Sequence, residues 1–105
     1  MSISHVSVGV NDMTGALKLY TPMLETLGLK VITPIVVDGK TVAVGFGKYF
    51  PLFWIGLPHD GKPATPGNGV HVALNASSTQ QVDEFYRVAL ENGAVCDGKP
   101  GPRPQ

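Results

Sequence analysis

The feature that most constrains this chain is an internal repeat. An offset of 66 residues lays His5 on His71, Val6 on Val72, Tyr20 on Tyr86 and Leu24 on Leu90, and Gly28 falls one residue from the register of Gly93. A chain of 105 residues that is 43% hydrophobic can build one small domain with a modest core, and not two independent ones. The two copies must therefore share one domain, each supplying part of a common fold.

The first copy opens on Ile3 to Val10, where Val6, Val8 and Val10 alternate with His5, Ser7 and Gly9. That period of two is the signature of a strand with one face against helices. From Met13 the apolar positions Ala16, Leu17, Tyr20, Leu24 and Leu27 follow helical spacing, with Asn11 or Asp12 as the cap and Gly28 as the stop. Pro22 lies inside this helix and is expected to kink it, because it has no N–H to bond back to Lys18. Three strand-like runs follow, Leu29 to Val37, Thr41 to Phe46 and Leu52 to Leu57, with "DGK" as the first hairpin turn.

Between the copies, "PHDGKPATPGNG" is rich in Pro and Gly and has no apolar period, so it reads as a linker, with His59 as a solvated loop histidine. The second copy opens on Gly69 to Asn75, with Val70, Val72 and Leu74 opposite His71, Ala73 and Asn75. "SSTQQ" then offers two overlapping capping boxes for a helix whose buried stripe is Val82, Phe85, Tyr86, Ala89 and Leu90. About twelve residues follow Gly93, against roughly thirty after Gly28, so two strands of the second copy are missing at typical strand sizes. The expected organisation is a first module over 1–57, a linker over 58–68 and a partial second module over 69–105.

Composition narrows the partners. Net charge is zero, 15% of residues are charged and the basic ones are scattered, which argues against nucleic acid or an anionic membrane. No signal peptide or long apolar run is present, so the expected location is cytoplasmic. The single cysteine, Cys96, has no partner for a disulfide or a CxxC site and is expected to be a buried structural thiol. No nucleophile elbow or P-loop is present, and "GFGKYF" lacks the strand-turn-helix context of a phosphate loop.

Paired β-α-β-β-β modules, each opening with a strand-borne histidine, resemble the vicinal oxygen chelate superfamily of glyoxalase I, fosfomycin-resistance transferases, extradiol dioxygenases and bleomycin-resistance proteins. The resemblance rests on "ISHVSVGVNDMTGALKLYTPMLETLGLKV", "LFWIGLP" and "GNGVHVALNASSTQQVDEFYRVALENGA" in that order. It implies an α+β fold in which two modules form a cup-shaped mixed sheet, with the second module incomplete. It also implies a small-molecule ligand and a homodimer.

In such proteins a divalent metal is held on the floor of the cup, and His5 and His71 match two of its ligand positions. Two imidazoles and a carboxylate would suit Mn, Fe, Ni or Zn acting as Lewis acid or oxygen activator. The family's third ligand is a Glu on a closing strand that this chain does not contain, and its own carboxylates fall on helices, turns and ends. Glyoxalase I activity is disfavoured, since "LFWIGLP" carries no carboxylate. Trp54 is a candidate wall of the ligand pocket, as a tryptophan is in the fosfomycin-resistance relatives, with Phe46, Tyr49 and Arg103 as further substrate contacts.

Three functions remain open at this point. One is an ancestrally metal-dependent lyase, transferase or dioxygenase acting on a small oxygenated substrate, with inactivity open for this short form. Another is a metal-free binding protein of the bleomycin-resistance type. The third is a dimerisation module with an open sheet edge.

Overall fold

Large and small side chains alternate along the central strands, and that alternation decides which face of the sheet each residue takes. The computed structural model describes residues 2–102. Its elements are β1 (Val6–Gly9), α1 (Met13–Glu25), β2 (Lys30–Val37), β3 (Lys40–Gly47), β4 (Phe53–Gly56) and α2 (Thr79–Glu91). The four strands form one mixed sheet in the order β1-β4-β3-β2, with β1 parallel to β4 and the other neighbours antiparallel. The fold is α+β, as the resemblance implies.

Register fixes the faces. Phe46 pairs with Phe53 and Val44 with Ile55, while Gly45 pairs with Trp54 and Ala43 with Gly56. The bulky set, with Leu24, Leu27 and Leu29 from α1 and its exit, forms the core; Phe46, Leu24 and Ile55 are fully buried. The small set, together with Ser7 and Gly9 paired to Trp54 and Gly56, lies on the opposite face, which no helix among the described residues covers. Both helices stack on the core side, α2 reaching it through α1 and Phe85, and Leu74 of the segment before α2 packs there too.

The turns follow from local chemistry. Asp38 and Gly39 both take positive φ, 52° and 77°, which makes "DGK" a type I′ hairpin turn. Each helix ends in the same device: the N–H of Leu29 reaches the Leu24 carbonyl and that of Gly28 the Glu25 carbonyl, and Ala94 and Gly93 bond likewise to Ala89 and Leu90. Gly28 and Gly93 supply the left-handed residue that this Schellman cap needs. Ser78 caps α2 by accepting from the Gln81 N–H, and the Gln81 side chain accepts from Ser77 in return. At α1 the cap residue is Asp12, but it makes no side-chain cap bond; Asn11 is used elsewhere. The helix runs through Pro22 to Glu25, three residues short of the next left-handed glycine.

Three expectations are corrected. Gly69 to Asn75 is not a strand: no neighbouring strand offers it a ladder, so its alternation has nothing to pair with, and Val70 and Val72 stay exposed. Cys96 is exposed rather than buried, and it accepts a hydrogen bond from the Tyr86 hydroxyl at 3.0 Å. That bond, with a smaller contribution from burial, pushes the Tyr86 phenol above its ordinary value. The first strand is also shorter than Ile3 to Val10.

Candidate functional site

The open face of the sheet is built around one side chain. Trp54 projects from β4 opposite Gly45, and a Cβ placed on that glycine would lie 2.9 Å from the indole Cε2 and Cζ2 and 2.7 Å from the Pro51 Cβ. The indole thus rests on backbone that a larger residue would occupy. Beside it lies a concavity of about 480 Å³, floored by Gly9, Ala43 and Gly56 and rimmed by His5 and His59. Because the parity of β1 is set by Val6 and Val8 facing the core, His5 falls on the same face as Ser7 and Trp54. Ser4 Oγ lies 3.0 Å from His5 Nδ1, occupying one of its two ring nitrogens.

His59 was not expected here. A residue in a loop has no strand parity from which its direction can be read, and only the turn closed by the Gly61 N–H on the Pro58 carbonyl, 3.1 Å, brings it back over the sheet. The local signal for that turn was "PHDG", with Gly61 at φ 75°.

The other expected residues go elsewhere. Phe46 is fully buried on the helix side and cannot line the open face; in β3 it belongs to the large stripe with Val42 and Val44, not the small one with Ala43 and Gly45. Tyr49 is 90% exposed and borders a separate hollow of about 330 Å³ with Leu27, Leu29 and Leu74. His71 is exposed on the irregular segment before α2 and does not line the Trp54 concavity. Arg103 lies outside the described residues.

A divalent metal would need at least three converging donors. Among the described residues no group of three His, Cys, Asp or Glu side chains is close enough to hold one. His5 is the sole one of the two proposed imidazole ligands on the concavity, and no carboxylate borders it. The donor set of one chain therefore does not fit the three-ligand centre that the resemblance implies. No helix among the described residues is long and apolar enough to cross a membrane.

Comparison with known proteins identifies the family to which this fold belongs. A family model described as the Glyoxalase/Bleomycin resistance protein/Dioxygenase superfamily matches residues 2–105. The crystal structure of a glyoxalase/bleomycin resistance protein from Albidiferax ferrireducens T118 is similar, with a TM-score of 0.83 and 34% identity over 98% of this chain and 80% of that one. No curated protein matches. One-fifth of the solved relative thus has no counterpart here, while a family match over nearly every residue and a shared fold leave a single assignment: the chain belongs to the glyoxalase/bleomycin resistance protein/dioxygenase superfamily.

Proposed function

We propose that this chain binds a small molecule on the open face of its sheet, without needing a metal. The observation that carries this reading is the Trp54 indole laid over Gly45 beside a 480 Å³ concavity. Sites of about 300–1,000 Å³ with apolar walls and a few polar groups are typical of small-ligand pockets. Family membership supports the same ligand class, and the similar protein from Albidiferax ferrireducens carries bleomycin resistance in its description. Fragment screening by NMR tests it: chemical shifts should move at Trp54, Gly56 and Ala43. A diverse fragment set that leaves those residues unmoved would refute it.

The metal-enzyme reading keeps one observation in its favour, the presence of His5 on the concavity. It requires donors beyond those gathered among the described residues. Calorimetric titration with Mn, Ni or Zn decides it, since stoichiometric binding that is lost on His5→Ala and on His71→Ala is what a shared centre demands. Self-association belongs to the same proposal: Val70 and Val72, at 69% and 39% exposure, leave apolar surface on the unpaired segment of the second repeat. Light scattering across a concentration series reads it directly. We place the protein in the cytoplasm, consistent with its lone, unpaired cysteine, and we divide it into modules at 1–57 and 69–105.

A further inference from the structure

The segment joining the two repeats has the composition of a spacer and the hydrogen bonding of a built element. The Gly61 N–H bonds to the Pro58 carbonyl, and the Asp60 carboxylate turns onto the Lys62 N–H at 2.9 Å. Asn11 then grips Ala64 by both backbone groups, its Oδ1 accepting from the Ala64 N–H at 2.6 Å and its Nδ2 donating to the Ala64 carbonyl at 3.3 Å. Ala64 also presses against Gly9, where a Cβ would come within 3.1 Å of its own. A passive linker has no need of this clamp.

The clamped loop carries charge to the ligand face. A second hollow, of about 900 Å³, adjoins the Trp54 concavity and shares Ile35, Ala43, Leu57, Pro58 and His59 with it. The titratable groups bordering the pair are His5, His59, Lys40 and Lys62, and no Asp or Glu among the described residues borders either. A chain of zero net charge thus presents only basic groups here. Asp60, the carboxylate beside His59 on the clamped loop, is engaged with the loop backbone.

We propose that the site takes a planar aromatic carboxylate, its ring stacked on Trp54 above Gly56 and Ala43 and its carboxylate held by His59 and Lys62 on the clamped loop. This rests on the small-molecule reading above and names its ligand class. A flat ring is selected because Gly and Ala let it approach the sheet while the indole offers a π face. An anion is selected because charge-assisted hydrogen bonds to carboxylate are the strong ones and no bordering carboxylate opposes it. The loop is held before the ligand arrives, so little ordering cost remains at binding.

Trp54 is the sole tryptophan, so its indole N–H gives one NMR resonance that reports on this face. The probes are 2-naphthoate and its neutral isostere 2-naphthamide. The expected result is saturable movement of that resonance by naphthoate, with naphthamide about tenfold weaker. The His59→Gln/Lys62→Gln double variant should close that gap by weakening naphthoate, with an unchanged melting temperature as the check that the fold survives; a gap that persists in it would overturn the assignment to these two residues. Equal affinity for the two probes in the unaltered chain would overturn the anion assignment and leave small-molecule binding standing. Binding of non-aromatic fragments alone would overturn the aromatic assignment, and silence from every fragment class would sink the underlying reading as well. An indole shift that follows protein concentration without any probe, with a dimer mass in light scattering, would mean that a second copy covers the face, and overturns the proposal.

Discussion

Single residues here are constrained by what lies across the strand from them. Gly45 is bounded by Pro51 and the Trp54 indole at distances that a real Cβ does not tolerate. Replacing it with Ala should cost about 1–3 kcal/mol, as overpacking of a filled site does. Denaturant titration gives the stability change, and a shift in tryptophan emission should accompany it, since the indole must move. Tyr86 gives a second test. Its phenol is raised, first by the hydrogen bond to Cys96, so the protonated form is favoured in the folded chain. The stabilisation is present below the unfolded tyrosine value near 10 and is lost as pH rises through the higher folded one. Ultraviolet titration should find the Tyr86 phenol ionising late, and Cys96→Ala should return it towards the ordinary tyrosine value. At this scale the faces of His5 and Trp54 are legible because strand parity assigns a side to every strand residue. Phe46 shares the parity of Val42 and Val44 and so lies on the buried face, and His59, in a loop, has no parity to read.

Elements were legible where the local code is complete. Both helices could be drawn from their apolar stripes, and the α2 cap from "SSTQQ", because those signals involve residues a few positions apart. Ser78→Ala should cost about 1 kcal/mol, as loss of a helix N-cap does. Thermal melts followed by circular dichroism should register it, and Asp12→Ala should do less, since Asp12 makes no side-chain cap bond. The Gly69 to Asn75 run shows where local code ends. It has the alternation of β1, and His71 where β1 is preceded by His5, but a strand is completed by its neighbour's hydrogen bonds and not by its own side chains.

For the whole molecule, that unpaired segment should separate two regions of different firmness. The radius of gyration is 14.3 Å, above the value of about 13 Å usual for a compact domain of this length. In hydrogen exchange the amides of β3 and β4 should be the last to go, because they lie in a four-stranded ladder over the buried core. Those of Val72 and Leu74 should exchange with little protection. Comparable protection in the two regions would show that the second repeat acquires partners in solution, which light scattering would then identify.

The Asn11 clamp on Ala64 also bears on how the chain can be lengthened or cut. It makes the connector two segments: one fixed from Pro58 to Ala64, and one from Thr65 to Gly69 whose bonded contact among the described residues is the Val70 turn on Gly67. Surface loops accept insertions where their backbone is exposed and unbonded. A short Gly-Ser insertion after Pro66 should therefore leave melting temperature and ligand-face shifts unchanged, whereas the same insertion after Gly61 should disturb both. Splicing, tagging or circular permutation of this protein has its natural joint at Pro66, eight residues beyond the point where β4 hands over to the loop at Pro58.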